Sequence, residues 1–437
     1  MHMKSLFLIL VTYFCILTTS ECQKVIPVKN KTNITISFGS CFHQRRRGDT
    51  PAQIFYRIVE TKPDLWVWLG DVAYLDTRLF PMYFYFSGEE YVKEELAKMK
   101  EFQEYILLRV TTPIIGIWDD HDYGINNGNK NFKHKRFMQR QFLNFLDEPS
   151  QSPRREREGI YESYYIGDPT KIKVILLDVR YFRDTPSEGI DMLGETQWVW
   201  LENELRNNTA EYVIIGVGTP FLPDDRIFTE KWYSWSREKL LSLIRKYKMS
   251  KVIFISGDPH FAEIMRYPCK ERVGYHLYEI TSSGMTHAAP TFFHPFVKAM
   301  YPDTYNTKNE RFLDKNFGLF RFSFEGNTSS IAVEIRDENG KVVLSKTFAP
   351  KELVFDKNMI DLNKSCILDE RPLDRFYKKQ LYNLRNPSED SVQMFKNAGL
   401  ALFIIVTVLV LVIILLIKSI KWGIRRVKSH HQKEKKE

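Results

Sequence analysis

The chain has 437 residues, of which 43% are hydrophobic and 14% aromatic, so it has ample apolar material for a packed core. Its formal net charge is +9, but residues 418–437 contain eight Lys or Arg and two Glu and carry +6 of it. The rest of the chain is close to neutral, which excludes the extended basic surface that a nucleic-acid-binding protein presents.

The N-terminus has the pattern of a secretory signal. Lys4 is followed by an apolar run over residues 6–17 and then by small polar residues. This order predicts a cleavable signal peptide over residues 1–22. An uncleaved signal anchor is the alternative, although the run is shorter than the ~20 residues that a membrane-spanning helix needs.

Apolar strands alternate with amphipathic helices through most of the chain, which predicts an α/β domain over residues 23–350. Helices are predicted from Pro51 and over residues 196–205 and 237–246. Residues 320–325 and 331–348 alternate, with Asn339-Gly340 as a hairpin turn, and predict final antiparallel strands. By itself the pattern suggests a single doubly wound sheet. The earlier predicted strands are residues 34–38, 65–70, 114–118, 174–178, 213–218, 252–257 and 277–282.

Four short polar clusters each follow one of these strands. In an open α/β sheet the carboxyl ends of the strands meet at one edge, where ligands bind. Taken singly, each cluster has a structural explanation as a turn, a helix cap or a buried thiol. Four such clusters in order along the chain, all containing residue types that bind metal ions, predict a two-metal phosphoesterase site. The clusters are Ser40-Cys41, Asp71 to Tyr74, Asp119-Asp120-His121-Asp122 and Asp258-Pro259-His260.

Two metal ions about 3.5–4 Å apart neutralise a phosphoryl group and activate a water molecule. Asp71, directly after an apolar strand, is the candidate bridge between them, and Tyr74 follows it closely enough to bind the same ion. Phenolate and thiolate ligands favour an iron(III)-like ion over magnesium. Asp258, His260 and the amide of Asn126 are further candidate ligands.

These motifs resemble the alkaline phosphatase D (PhoD-like) family of calcineurin-like metallophosphoesterases. The resemblance implies a four-layer α/β/β/α sandwich with two mixed β-sheets, hydrolysis of phosphate mono- or diesters, and an iron–calcium centre. Cys41, Asp71 and Tyr74 would hold the iron-like ion, and Asn126 and His260 the calcium-like ion, with Asp71 and Asp258 shared. The matching stretches are FGSC (38–41), PDLWVWLGDVAY (63–74), PIIGIWDDHDYGINN (113–127), VILLDVRYFRD (174–184), LGETQWVWLENEL (193–205), ISGDPHFAEI (255–264) and YEITSSGMTH (278–287).

The chain departs from ordinary calcineurin-like enzymes in two motifs. Ser40-Cys41 replaces their Asp-x-His, and Asp120 stands where they have an amide ligand, so either Asp120 or Asn126 binds metal. His121, beside acidic residues that raise its pKa, is the candidate general acid, and Asp122 is a second candidate catalytic residue.

Arg180 has two interpretations. It either holds a phosphoryl oxygen bidentately or forms a salt bridge with Asp178 or Asp184. For the domain as a whole, the alternative to an enzyme is a catalytically degenerate receptor or interaction module on the same fold.

The C-terminal part predicts membrane attachment. Residues 351–397 are charged and irregular and suggest a stalk, and residues 398–417 form an uncharged apolar stretch long enough to span a bilayer. The basic tail behind it predicts a cytosolic C-terminus. The chain is therefore expected to be a single-pass type I membrane protein with a lumenal or extracellular head.

Glycosylation motifs and cysteines agree with a secretory chain. Sequons occur at Asn30, Asn33, Asn207, Asn327 and Asn363. A disulfide between Cys269 and Cys366 is expected because Cys41 lies in the metal cluster, the alternative being that Cys41 is paired. Lys433 and Lys435 resemble an endoplasmic-reticulum retrieval signal, with passage to the cell surface as the alternative.

Overall fold

The computed structural model of the protein describes residues 24–28, 31–47, 53–80, 83–167, 171–226, 230–301, 304–306, 310–326, 328–349, 351–375 and 377–378. The predicted signal peptide, membrane span and basic tail lie outside these residues. Within the described ranges, no helix is long and apolar enough to cross a membrane. The chain divides into two units, one of Met1–Thr291 with Pro302–Arg375 and one of Phe292–Tyr301 with Phe376–Glu437.

The strands and helices are numbered in chain order. The strands are β1 (Val25–Ile26), β2 (Asn33–Gly39), β3 (Leu65–Leu69), β4 (Asp76–Phe80), β5 (Tyr83–Phe86), β6 (Ile114–Ile117), β7 (Glu162–Ile166), β8 (Ile172–Leu177), β9 (Tyr212–Val217), β10 (Val252–Ser256), β11 (Ala262–Arg266), β12 (Tyr278–Ser282), β13 (Arg311–Phe312), β14 (Asn316–Glu325), β15 (Thr328–Asp337) and β16 (Val342–Phe348). The α-helices are α1 (Gln53–Glu60), α2 (Glu89–Glu101), α3 (Gln103–Thr111), α4 (Asp120–Tyr123), α5 (Lys135–Phe145), α6 (Pro153–Glu156), α7 (Gly194–Arg206), α8 (Ser234–Lys246) and α9 (His294–Met300).

The strands of the first unit form two large sheets and a separate two-stranded ribbon, β4–β5. One sheet has the order β1-β7-β8-β9-β10-β12-β11-β13, and the other β16-β15-β14-β2-β3-β6. The neighbours β8, β9, β10 and β12 are parallel, and so are β2, β3 and β6. Every residue of β8, β9 and β10 is buried, as expected for strands covered on both faces.

The two sheets pack face to face. The Tyr212 ring of β9 lies 5.3 Å from the Phe322 ring of β14, across the inner core. On the outer face of the six-stranded sheet, Phe55 of α1 packs on Trp68 of β3, with 6.1 Å between the rings. Helices α7 and α8 belong to a second core with the outer face of the eight-stranded sheet. The four-layer arrangement is therefore present, and the single doubly wound sheet is wrong, because the strands divide between two sheets that bury their inner faces against each other.

All the predicted strands are present, and the turn around Gly340 joins β15 to β16. The sequence did not predict the ribbon β4–β5 or the strands β1, β7, β11 and β13. The carbonyl of Leu353 accepts a hydrogen bond from the Lys251 amide at 2.7 Å, and Arg375 is buried beside Asp224, so the first unit continues through the beginning of the predicted stalk.

The predicted disulfide between Cys269 and Cys366 is confirmed, and Cys41 is a buried free cysteine. The bond fixes residue 366 to the turn that follows β11, which adds to the packing of this C-terminal segment.

Candidate metal centre

The predicted ligands lie in tight turns at the ends of strands. Positive φ angles occur at Cys41 (60°), Asp71 (50°), Asp258 (81°) and His260 (62°), none of which is glycine. Non-glycine residues in this region store backbone strain of roughly 1–3 kcal/mol each, and such residues cluster at functional sites. The strain indicates that these four side chains are held in position by the surrounding fold.

Glycine brings two of these turns together. A Cβ atom on Gly70 would lie 2.4 Å from the Cβ of Asp119, a distance that no other residue tolerates. The Asp71 turn after β3 and the Asp119 turn after β6 therefore pack directly against each other, and both acidic clusters reach one site.

Cys41, Asp71 and His260 form the first group of donor atoms, all within 4.8 Å of one another. The Cys41 Sγ is 3.4 Å from the Asp71 Oδ2. Ser283 holds both ends of the group, because its hydroxyl donates to the Cys41 Sγ at 3.0 Å and accepts from the His260 amide at 2.8 Å. The Tyr74 hydroxyl lies 3.1 Å from the His260 Nε2, which adds a phenol oxygen.

Asp71, Asp120 and His121 form the second group, also within 4.8 Å of one another. The His121 amide donates to the Asp120 Oδ1 at 2.9 Å and lies 3.3 Å from the Asp71 Oδ1. The Asn127 amide donates to the Asp120 Oδ2 at 2.7 Å. Asp71 belongs to both groups, which is the position of a carboxylate between two ions.

Three other predicted ligands are placed differently from the expectation. His260 lies in the group of Cys41, not with Asp120. Asp258 is in neither group, and its backbone carbonyl is 3.8 Å from the Cys41 Sγ. Asn126 lies beside the second group, and its backbone amide donates to the Asp76 Oδ2 at 2.8 Å.

The electrostatics of the cluster favour bound cations. Burial raises the pKa of Asp71 well above its usual value, and so does the proximity of other carboxylates, Asp120 among them. Burial and the nearby carboxylates of Asp119 and Glu230 likewise raise the pKa of Asp258 well above its usual value. Carboxylates that are buried together are stable as anions only beside positive charge. The donor set fits two ions, with thiol, phenol and imidazole suited to a transition metal and the carboxylates of Asp71 and Asp120 suited to a harder ion.

The ring of His121 is fixed within this cluster by Asp76. Its Nδ1 is 2.7 Å from the Asp76 Oδ1. Burial by itself would lower the pKa of His121, but Asp120, Asp71 and Asp76 outweigh burial and raise it well above the usual value. Asp76, which orients the ring, was not among the predicted site residues.

Asp122 holds two backbone segments of the site in place. The carboxylate of Asp122 accepts from the amides of Ala73 at 3.2 Å and Asp119 at 3.3 Å, and burial raises its pKa to about 8. It therefore ties the Asp71 turn to the start of α4.

Arg180 is fully buried and forms a salt bridge, but not with either predicted partner. Its Nε donates to the Asp119 Oδ1 at 2.7 Å, and it also pairs with Glu230. Asp178 accepts from the backbone amide of Arg180 and not from its guanidinium, and Asp184 pairs with Lys130. The guanidinium therefore orients Asp119.

Two histidines that the sequence reading did not assign complete the site. The His287 Nδ1 is 2.9 Å from the Tyr74 hydroxyl, and the His43 ring stacks on the Tyr74 ring at 4.5 Å. The loop of His287 is fixed to the Cys41 loop, because the Thr286 amide donates to the Cys41 carbonyl at 3.3 Å. His287 comes five residues after the end of β12, so the strand-end rule that identified the other clusters also identifies this one.

Two facing mixed sheets with a buried acidic and histidine cluster at the strand ends define a metallophosphoesterase type of protein. The PhoD-like phosphatase family model matches residues 37–327. The chain belongs to the PhoD-like phosphatase family, and it is therefore a phosphoesterase of a metal-dependent class.

Two solved structures are similar to this chain, and the first of them supports the same fold at low sequence identity. One described as "Structure of PhoD" is 16% identical, with a TM-score of 0.54, and the match covers 85% of this chain and 79% of that chain. Another, "GAP50 the anchor in the inner membrane complex of Plasmodium", is 13% identical, with a TM-score of 0.46 and coverage of 79% and 95%. A search of curated protein sequences gave no match.

Proposed function

We propose that the protein hydrolyses phosphate monoesters or diesters at a centre of two cations that share Asp71. The observation that carries this proposal is the membership of Asp71 in both donor groups. Two ions at such a site would neutralise the phosphoryl oxygens and lower the pKa of a water molecule.

The side chains of the protein have separate roles in this proposal. His121, oriented by Asp76, is the proposed general acid, which donates a proton to the leaving alkoxide through its Nε2 and does not bind an ion. Arg180 is fully buried, and its Nε and Nη2 bond Asp119 and Thr219, so we assign it the role of positioning Asp119. Asp122 keeps the Asp71 turn and the start of α4 in register.

We assign different ions to the two donor groups. The thiol of Cys41, the phenol of Tyr74 and the imidazole of His260 suit an iron(III)-like ion. Asp71 and Asp120 suit a calcium-like ion, with Asn126 and Asp258 as the nearby residues that complete its oxygen ligands.

The experiment that tests this function compares wild type with Asp71→Asn in the full-length protein. Wild type is expected to hydrolyse p-nitrophenyl phosphate or its bis-ester, and a chelator to abolish the activity. Asp71→Asn is expected to lose activity and metal content together, whereas Glu60→Gln, at an exposed position on α1, keeps both. If Asp71→Asn keeps a turnover close to that of wild type, the proposal that both ions share the Asp71 carboxylate is wrong. A wild type that binds both ions but hydrolyses neither ester supports the degenerate receptor module.

We further propose that the catalytic head is lumenal or extracellular and attached by the apolar stretch of residues 398–417. The sequence pattern supports this topology, and the disulfide between Cys269 and Cys366 is consistent with an oxidising compartment. Glycan processing on wild type and on a Lys433→Ser/Lys435→Ser variant separates endoplasmic-reticulum retention from passage to the surface. Identical, fully processed glycans on both would exclude retrieval by these lysines.

A further inference from the structure

An apolar surface lies on the ribbon β4–β5. Leu79, Tyr83 and Tyr85 are 70%, 60% and 42% exposed, and we call these three side chains the ribbon patch. Thr77 of β4 is paired with Tyr85 of β5, so the three side chains of the patch belong to the two paired strands of the ribbon. Soluble monomers rarely expose large side chains in such contiguous groups unless the surface binds something.

The inner face of the same ribbon is fixed to the candidate catalytic centre. Phe84 and Phe86 alternate with the exposed tyrosines. The Phe84 ring lies 5.8 Å from the His121 ring, and the Phe86 ring stacks on His134 at 4.3 Å. Asp76, the first residue of β4, holds His121. The ribbon patch is therefore part of the rim of the site, not a distant surface.

The charge of the ribbon suits an anionic amphiphile. Asp76 is buried against His121, so its carboxylate is not part of the exposed surface of the ribbon. Arg78, opposite Phe84, is exposed, and its guanidinium lies 5.7 Å from the Phe84 ring. The ribbon therefore presents tyrosines, which favour the membrane–water interface, on the face opposite Phe84 and Phe86, and a cation on the same face as Phe84.

The length of chain beyond the described residues allows the ribbon to reach a bilayer. Nineteen residues, 379–397, lie between Lys378 and Ala398, the start of the apolar stretch, and a chain of this length spans at most about 70 Å when extended. That length exceeds the diameter of roughly 50 Å expected for a domain of this size, so the linker is long enough for the ribbon to contact the same membrane.

We propose that the ribbon patch inserts into the bilayer interface and receives the hydrocarbon chain of a phosphate ester, so that the substrate class is a long-chain lipid phosphate. This inference rests on the proposed function, because it names the substrate of that same site. The apolar chain contacts Leu79, Tyr83 and Tyr85 while the phosphoryl group enters beside His121. A soluble sugar or nucleotide ester would leave this apolar rim without a role.

The first test reads insertion without reference to activity. An environment-sensitive fluorophore is attached at Leu79→Cys, and the control probe at Val110→Cys, which is 73% exposed on α3. The full-length protein is reconstituted in vesicles of phosphatidylcholine and phosphatidic acid, with and without brominated acyl chains. We expect a blue shift and bromine quenching at position 79 and neither at position 110. Equal, water-like emission at both positions overturns the proposal.

A second copy of the chain is the competing occupant of the ribbon patch. It would shield the probe at position 79 in detergent without vesicle lipid, and the shielding would increase with protein concentration. That result also overturns the proposal.

The second test compares substrates. The triple variant Leu79→Ser/Tyr83→Ser/Tyr85→Ser is matched by Val110→Ser/Ile190→Ser/Val199→Ser, whose replaced residues are 73%, 55% and 52% exposed. The measured quantity is the ratio of the hydrolysis rate for dioleoyl phosphatidic acid or phosphatidylglycerol in vesicles to that for the p-nitrophenyl esters. We expect the ratio to fall by at least about tenfold in the ribbon variant and to stay constant in the matched variant.

The outcomes distinguish this inference from the proposed function. Hydrolysis of the p-nitrophenyl esters without hydrolysis of the lipid esters overturns the inference and leaves the proposed function intact. An unchanged ratio of lipid-ester to p-nitrophenyl-ester hydrolysis in the ribbon variant also overturns the inference and leaves the proposed function intact. Absence of hydrolysis for every ester overturns the proposed function and, with it, the lipid substrate.

Discussion

At the scale of single residues, the centre is built from side chains on strained turns. Cys41, Asp71, Asp258 and His260 all have positive φ. Two of them share a neighbour that is not a ligand itself, since the Ser283 hydroxyl bonds both the Cys41 thiol and the His260 amide. Supporting residues of this kind orient the ligands, and their loss typically costs roughly 10–100-fold in metal affinity or activity.

Tyr74→Phe tests the assignment of the iron-like ion. A phenolate and a thiolate bound to ferric iron give a charge-transfer band in the visible region, and we expect Tyr74→Phe to displace or abolish it. The absorption spectrum and the iron content of purified wild type and variant provide the measurement. A colourless, iron-free wild type with full activity would contradict this assignment and favour a pair of divalent ions.

His287 is predicted to position the Tyr74 ligand. Its Nδ1 is 2.9 Å from the phenol oxygen, and the amide nitrogen of asparagine occupies nearly the same place as Nδ1. We therefore expect His287→Ala to shift the visible band and lower iron retention, and His287→Asn to restore both in large part. A band that is identical in wild type and His287→Ala would exclude this hydrogen bond to the bound ligand.

At the scale of elements, a buried ion pair fixes α6 to the end of β6. The guanidinium of Arg154 is fully buried, donates to the Gly116 carbonyl at 2.9 Å and pairs with Glu148 at 2.9 Å. Burial by itself would raise the pKa of Glu148, but Arg154 and Lys24 lower it to about 2. The pair therefore connects three segments of the helical layer next to the six-stranded sheet.

Glu148→Gln is predicted to destabilise the protein by roughly 3 kcal/mol near neutral pH, because it leaves a buried guanidinium without its carboxylate. Since the pKa of Glu148 is lower in the folded state than its usual 4.5, this stabilisation is complete above pH 4.5 and is lost as the pH falls towards 2. Chemical denaturation of wild type and variant at several pH values measures the difference.

Glu156→Gln, at an exposed position on α6, is the control and should change little. A difference between wild type and Glu148→Gln that does not shrink on acidification would argue against the ion pair as its source.

At the scale of the whole molecule, the C-terminal segment of the first unit is part of the packed structure. Besides the contacts of Leu353 and Arg375, it is closed by the disulfide between Cys269 and Cys366, which are 97 residues apart in sequence. A crosslink over so long a loop removes much conformational entropy from the unfolded chain.

Cys269→Ser/Cys366→Ser is therefore expected to lower the free energy of unfolding by about 4 kcal/mol. Because neither cysteine is near the donor groups, metal content at low temperature should be that of wild type. Denaturation of wild type under reducing conditions, where it should match the variant, is the internal control. An unchanged midpoint in the variant would mean that the segment is held by its noncovalent contacts.

The sequence alone was enough to predict most of the strands, the family motifs, the disulfide and the candidate ligands of the centre. It does so because a buried parallel strand must be apolar and its end must turn, so a metal-ligating residue after an apolar run is visible without coordinates. This rule predicted five of the candidate ligands, namely Cys41, Asp71, Tyr74, Asp120 and His260.

The division of these residues into two donor groups depends on contacts between segments that are distant in sequence, so it is visible in the folded structure and not in the sequence. The folded structure placed His260 with Cys41, gave Asp122 and Arg180 partners in the scaffold, and brought Asp76, Ser283 and His287 to the site. The division into two sheets and the exposed ribbon patch are also tertiary properties. Local patterns record whether a side chain is apolar, whereas its partner is decided by which surfaces the fold brings together.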